Sequence, residues 1–519
     1  MLATHGLRRA ARVRGDFPGI EFEGVTRPWA TVEDRVARVA AGLRALGLQR
    51  GDRVAVLSEN SAAFFELYWA APWADLIMAS LNTRWAVPEM IAALQDCAAT
   101  ALVVDAAFAP LAEQLAKACP SVRHVIYAGS DSAAAPNGAR DYEALVVENS
   151  PLADQERGGA EVVHLFYTSG TTGQSKGAML TSDNVFFTGL MIASPFALSA
   201  RTNALCVMPM FHVGAGTFLV GLTFAASGIV IARRFDAADA LKTIAERRIT
   251  HSVLVPAMIN QMLNAPNVES YDLTCMERLI YGASPMPPAL LNRAMEKMPG
   301  VGFNQGYSMT ETTATGACLL PQDHQPDGPF AHRMYSVGQP IAGNDLEIRD
   351  PSGNVLPAGE VGEVCIRGPG VMAGYWNKPA ETAAAVKNGW LHTGDAGKLD
   401  ADGYLYIVDR IKDMIITGGE NVYSAEVENA IYAHPSVAEC AVIGLPDEKW
   451  GERVAAILHL KPESSLTEGD LIAHCRTMIG GYKVPRQVIF SADPLPRSGT
   501  GKILKPLLRK TYASAGKLG

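Results

Sequence analysis

The sequence predicts an α/β protein: a large, multi-subdomain N-terminal domain of helix-covered β-sheets with a small β-barrel-like part, then a small α+β C-terminal domain. Two observations carry this. Amphipathic helices alternate with apolar strands through the first part of the chain, the pattern of mostly parallel sheets covered by helices. After about residue 330 the texture changes to apolar–polar alternation around Gly, Pro and Asn turns.

The elements follow in order. Arg8, Arg9, Arg12 and Arg14 read as part of a first helix, because no apolar segment follows them as a targeting peptide requires. Thr31 reads as an N-cap, with Asp34 in the first turn. Val32, Val36, Val39, Leu43 and Leu46 then step by four and three along one helix face, and Gly47 stops the helix. "DRVAVLSEN" is a strand entering a loop. "VPEMIAALQDC" and "DALKTIAERRI" are helical, and the "TALVVD" and "THSVLVP" that follow them are strands. Residues 131–140 are rich in Ala, Pro and Gly and read as a surface loop. The apolar run 216–232 nears membrane length, but Gly221, Thr223 and Gly228 favour a buried helix running into a buried strand. "NDLEIRDPSGNVLPAGEVGEVCIRG" is antiparallel β. Ser424 is expected to cap a helix. Strands near 440–443 and 454–460 and a helix near 466–478 complete the C-terminal domain. The natural cut divides the chain into 1–409 and 410–519.

Composition narrows the function. The net charge is -8 and no Lys/Arg-dense run occurs, which argues against nucleic acid and anionic membranes as partners. The eight cysteines form no CxxC pair and no Cys/His cluster with zinc spacing, as expected of thiols in a reducing cytoplasm.

The stretch "FYTSGTTGQSKGAML" carries the first chemistry. The strand "VVHLFY" leads into Thr168, Ser169, Gly170, Thr171 and Thr172, and Lys176 follows. Glycines let backbone N–H groups point inward, hydroxyls add donors and the lysine adds a point charge, so the loop suits phosphate. No Gly-Lys-Ser/Thr closes it, so it is not the usual phosphate loop.

The order of these residues resembles the phosphate loop of the AMP-forming adenylating superfamily, which includes acyl- and aryl-CoA synthetases, luciferases and peptide-synthetase adenylation domains. Further stretches resemble that family's motifs in sequence: "PMFHVGAG", "YGASPM", "QGYSMTE", "GWLHTGD", "YLYIVDRIKDMIITGGENVYSAEVE" and "PRSGTGKILK". The likeness covers nearly the whole chain. It implies ATP, Mg²⁺ and coenzyme A as co-substrates and cofactor, with a small carboxylic acid as the partner to be activated. It allows a homodimer.

The resemblance also implies roles. Thr168, Ser169, Gly170, Thr171, Thr172 and Lys176 would hold the β and γ phosphates. Gly282, Ala283 and Ser284, with Gln305, Gly306, Tyr307, Ser308 and Met309, would hold AMP, Tyr307 offering a face to the adenine. Thr310 would meet the α phosphate and Glu311 the Mg²⁺. Asp395 would accept from the ribose hydroxyls, assisted by Arg410. His212 would lie beside the carboxylate, and Lys502 would bridge the carboxylate and the α phosphate. Lys412 would be the hinge about which a mobile C-terminal domain turns, bringing Gly418 and Gly419 to the pantetheine arm. Trp450 and Tyr482 would line the CoA approach, with Lys483 near its phosphates.

For the acid, the expected pocket lining is His212, Val213, Ala215, Met258 and Ala317, with no basic residue in its apolar part. A second carboxylate would be costly to bury there. Ser308 stands where acetate-type relatives carry a Trp plug. A medium-sized uncharged acid is expected: a hydroxycinnamate-like (feruloyl-like) aromatic, or a short-to-medium fatty or thioether acid. His212 replaces the Asp of amino-acid-activating relatives. The rival readings are a luciferase-like oxygenase and an acyl-AMP ligase that does not use CoA. Ser308 in place of Gly and Gln305 in place of Asn are the departures from the family pattern.

Overall fold

In the computed structural model, which describes residues 1–168, 175–284, 286–497 and 503–515, the expected alternation produces two large, mainly parallel sheets. Val32, Val36, Val39 and Leu43 are fully buried on the helix Trp29–Ala45. That helix begins before Thr31: Pro28 holds the N-cap at φ -61 and ψ 155, and Thr31 sits in the first turn. The ring presets the φ that the cap needs, and the buried Trp29 anchors the first turn, so the Thr31 hydroxyl is not required there. Leu46 forms the C-cap and Gly47 follows at φ +87, where a side chain would be strained.

The chain divides into two compact units, one comprising Met1–Leu346 with Ile366–Leu391 and the other Glu347–Cys365 with the chain from His392 onward. In the first unit, the strands Arg53–Leu57, Ile77–Ser80, Ala101–Val104, His124–Tyr127 and Val162–Thr168 run parallel in one sheet. Asn203–Cys206, Gly228–Ile231, His251–Leu254, Arg278–Gly282 and Gly302–Tyr307 run parallel in the other. Val54, Val56 and Met78 of one sheet share a buried cluster with Ala204, Cys206, Ile229 and Ile231 of the other. Phe64, Phe65 and Trp69 of the helix Ala62–Trp73 and Phe218, Leu219 and Leu222 of the helix Val213–Phe224 fill it. Each such side chain contributes about 1.5–3 kcal/mol by leaving water. The alternate residues Leu205 and Val207 face a second cluster on the opposite side of their sheet, as the two-residue period of a strand demands. Val213–Phe224 followed by Gly228–Ile231 is the buried helix and strand expected of 216–232. Among the described residues no helix is long and apolar enough to cross a membrane.

The second unit carries the sheet before residue 410 and the sheet after it. In the first, Trp390–Leu399 pairs antiparallel with Leu405–Arg410. In the second, Val437–Asp447, Gly451–Leu460, Ile415–Thr417 and Glu420–Val422 are antiparallel neighbours, and Gln487–Phe490 adds a parallel strand. The helices Ser424–Tyr432 and Glu468–Arg476 bury Val427, Ile431, Leu471 and Cys475 on one face, and Leu508 of the helix Lys505–Ala515 packs on the other. Ser424 is the first helical residue rather than the cap. Its N–H and its hydroxyl both donate to Oδ2 of Asp409, the hydroxyl at 2.7 Å. A buried anionic oxygen at a helix start outcompetes a neutral hydroxyl, because it answers both the free N–H and the dipole.

Candidate active site

In the first unit two charged side chains, Lys176 and Glu311, meet one tyrosine, Tyr375. The antiparallel pairing of Val162–Thr168 with Lys176–Thr181 sets Thr168 opposite Lys176, with the Thr168 hydroxyl 3.5 Å from the Lys176 carbonyl. Ser169, Gly170, Thr171 and Thr172 lie outside the described residues. The short strand Gly374–Tyr375 pairs with Met179 and Ala178 on the outer side of Lys176–Thr181. Tyr375 therefore stands beside Lys176, whose Nζ is 5.1 Å from the ring centroid. The Tyr375 hydroxyl donates to Oε1 of Glu311 at 2.7 Å.

Glu311 is buried in a single 3-10 turn, Thr310–Thr312. Its carbonyl accepts the Met372 N–H at 2.9 Å. Thr313 and Ala314 follow in the left-handed region at φ +52 and +53. The Thr313 hydroxyl donates to the Gly370 carbonyl at 2.7 Å, and Thr217 donates to the Thr313 carbonyl at 2.8 Å. These bonds hold a buried turn that would otherwise leave polar groups unpaired. Oε2 of Glu311 accepts no hydrogen bond from the described residues, so a hard anionic oxygen is available of the kind that suits Mg²⁺.

Gln305, Gly306 and Tyr307 end the strand Gly302–Tyr307, and Gly282 ends its neighbour Arg278–Gly282, in register with Gly306. A Cβ at Gly282 would come within 2.4 Å of the Gly306 carbonyl, so only glycine allows the strands to approach there. Ala283 turns away at φ +65, and Ser284 follows it. These residues, with Ser308, Met309 and Thr310 just beyond the strand, line the carboxyl end of a parallel sheet, where open α/β sheets take their ligands.

His212 caps the helix Val213–Phe224: its Nδ1 accepts the Gly214 N–H at 3.1 Å. That fixes the tautomer with the proton on Nε2. Val213, Ala215 and Ala317 are buried and apolar. Val213 packs into the cluster between the two sheets, whereas Met258 packs against the cluster on the far face of the second, so these two do not share one apolar cluster.

The second unit holds the other group. Asp395 is buried on Trp390–Leu399, directly across from Arg410, with 2.7 Å between Arg410 Nε and Asp395 Oδ1. The turn before it is pinned by Glu363. Oε1 accepts the Gly394 N–H at 3.0 Å and Oε2 lies 2.7 Å from His392 Nδ1. The Thr393 hydroxyl donates to the Val364 carbonyl at 2.7 Å and accepts the Asp395 N–H at 3.1 Å. Gly394 supplies the left-handed step at φ +70. Glu363, Cys365 and His392 bring possible ligand atoms within 4.8 Å of one another. Both Glu363 oxygens are already committed, so this group supports the turn.

Lys412 lies in the turn Ile411–Asp413, which Arg509 clasps by donating to the Lys412 carbonyl at 3.3 Å and pairing with Asp413 at 3.0 Å. Gly418 and Gly419, at φ +61 and +85, make the tight turn between Ile415–Thr417 and Glu420–Val422. The Gly418 N–H donates to the Trp450 carbonyl at 2.8 Å, and a Cβ at Gly418 would meet the Trp450 ring at 2.7 Å. Arg486, which sequence reasoning did not single out, stacks its guanidinium 4.5 Å from the Trp450 centroid. Tyr482 is exposed, and Lys483 beside it is paired with Glu426 at 2.6 Å. Lys502 lies outside the described residues; Arg497 and Ile503, on either side of its segment, form a bridge.

Residues 7–376 match the AMP-binding enzyme family and residues 426–502 match the AMP-binding enzyme C-terminal domain. A feruloyl-CoA synthase of Amycolatopsis is 38% identical over 505 residues, covering 97% of this chain and 98% of that protein. A long-chain fatty acid–CoA ligase of Mycobacterium tuberculosis is 37% identical over 494 residues, covering 94% of each. The o-succinylbenzoate CoA synthetase of Bacillus subtilis, solved with its acyl-adenylate intermediate, superposes with a TM-score of 0.84 at 29% identity, covering 97% of both chains.

Proposed function

The chain belongs to the AMP-binding enzyme family and is an AMP-forming acyl- or aryl-CoA ligase, and on that premise we propose that it activates an uncharged, medium-sized carboxylic acid and passes it to coenzyme A. In the first step a carboxylate oxygen attacks the α phosphorus of ATP, an acyl-adenylate forms and pyrophosphate leaves. In the second the CoA thiolate attacks the acyl carbonyl, the thioester forms and AMP leaves.

Attack on phosphorus gathers negative charge, so positioning and neutralisation do most of the work. Lys176 and the donors of 168–172 take the β and γ phosphates, and Thr310 takes the α phosphate. Glu311 would hold Mg²⁺, which when bound would supply neutralising charge to the phosphates. Gly282 to Ser284 and Gln305 to Met309 hold the adenine. Asp395 offers acceptors only, which suits two ribose hydroxyls, and Arg410 orients it. His212 lies at the acid end, and Lys502 reaches both reacting groups as the anhydride forms. A hinge at Lys412 between 1–409 and 410–519 lets one site serve both steps. One sheet ends at Arg410 and the next begins at Ile415, which leaves the turn at Lys412 between them. Gly418, Gly419 and Trp450, with Tyr482 and Lys483, form the CoA approach. Eight free thiols suit a reducing compartment such as the cytoplasm.

The observation that carries the choice of acid is the buried apolar character of Val213 and Ala215, which follow the His212 cap, and of Ala317 on the strand Ala317–Leu319. Relatives named for ferulate and for long-chain fatty acids take acids with one carboxylate and an apolar body. A panel of carboxylates in a pyrophosphate-release assay, with and without CoA, tests the reading. Hydroxycinnamates or short-to-medium fatty or thioether acids should turn over, with AMP and thioester formed in equal amounts once CoA is added. Preferred turnover of a malonate-like diacid, or AMP release indifferent to CoA, would contradict it.

A further inference from the structure

We propose that Tyr375 is a positioning residue for ATP activation, one that keeps Glu311 and Lys176 apart and aimed at different ligands. The inference rests on the reading of Glu311 as the metal-binding acid and Lys176 as a phosphate-binding cation. A carboxylate and an ammonium in one pocket attract each other, and paired they would neutralise the charges that a metal ion and a phosphate need. Tyr375 offers each a separate partner. Its hydroxyl donates to Oε1 of Glu311 at 2.7 Å, which leaves Oε2 as the oxygen turned to a ligand. Its ring takes the Lys176 ammonium at 5.1 Å from the centroid, within cation–π range, and among the described residues the ammonium donates no hydrogen bond. Among the described residues Lys176 makes no ion pair.

The tyrosine is built to stay put. Its N–H donates to the Thr382 hydroxyl at 2.8 Å, and its main chain pairs with Ala178. The next residue, Trp376, donates its N–H to the Gly177 carbonyl at 2.8 Å. The ring is thus fixed to the strand that begins with Lys176, while the hydroxyl reaches across to the turn that holds Glu311. A neutral side chain is required for this, because a charged one would bind one partner and repel the other.

The test is calorimetric binding of ATP at stepped Mg²⁺ concentrations, without acid or CoA, to the full-length enzyme and to Tyr375→Phe, Tyr375→Ala and Glu311→Gln. Tyr375→Phe keeps the ring and loses the hydroxyl. It should raise the Mg²⁺ concentration for half-maximal ATP binding roughly tenfold, the loss of one hydrogen bond to a charged group, and recover at high Mg²⁺. Tyr375→Ala should also weaken ATP at saturating Mg²⁺ by roughly three- to tenfold, because the lysine is released. If Glu311→Gln shifts the Mg²⁺ requirement and Tyr375→Phe does not, the role of Tyr375 is refuted and the reading of Glu311 stands. If Glu311→Gln shifts nothing, both fall. Loss of binding in Tyr375→Phe that no Mg²⁺ concentration restores would make the residue structural and overturn the proposal.

Discussion

The two groups proposed to meet the nucleotide treat their charges in opposite ways. In the first unit Glu311 and Lys176 are separated by a neutral ring, each held and, among the described residues, neither in an ion pair. In the second unit Asp395 and Arg410 are paired directly at 2.7 Å. The ligands proposed for them would account for the difference. A triphosphate with its metal brings charge of both signs, and it needs an anion and a cation that remain separately available. A ribose brings neutral hydroxyls, which need a well-aimed acceptor and little net charge. Pairing Asp395 with Arg410 fixes its carboxylate, an acceptor-only group of the kind proposed here for the ribose hydroxyls.

The largest expected effect comes from Lys502→Ala, which removes the charge proposed to serve the reacting centre rather than either end of the nucleotide. Pyrophosphate release should be abolished, while thioester formation from supplied acyl-adenylate should largely survive. Equal loss of both steps would show that the two half-reactions do not divide their residues in this way. The smallest expected effect sharpens the ribose side. Glu363→Gln keeps the shape but weakens the bonds to the Gly394 N–H and to His392. The KM for ATP should rise roughly three- to tenfold, the loss of charge assistance in one or two hydrogen bonds, with the KM for the acid unmoved. A rise in both constants would mean that the turn supports more than the ribose acid.

What could be read in advance divides along the same lines. Lys176, Glu311 and Asp395 stand out as candidates in the sequence because each lies in a run of unusual local order, and order along the chain is what a sequence displays. Tyr375 and Glu363 are not. The role proposed for Tyr375 arises only when Gly374–Tyr375 pairs beside Lys176–Thr181, a contact between distant parts of the chain. Glu363 sits in ordinary strand alternation and acts through a turn on a different strand. The helix starts at Thr31 and Ser424 fail for a related reason. Local capping rules favour a hydroxyl, but Pro28 presets one helix start and the distant Asp409 captures the other. The alternation of helices and strands, by contrast, depends on which side chains are apolar and how they are spaced. It is legible from Trp29–Ala45 to Glu468–Arg476.

The division of labour between the two groups is the centre of the account, and calorimetric affinities for ATP and for adenosine test it most directly. Asp395→Ala should weaken both ligands by the same factor, roughly 10- to 100-fold for losing an anionic acceptor to two hydroxyls. Glu311→Gln should weaken ATP in the presence of Mg²⁺ and leave adenosine binding as it was. Adenosine affinity that survives Asp395→Ala, or that falls equally in both variants, would contradict the account.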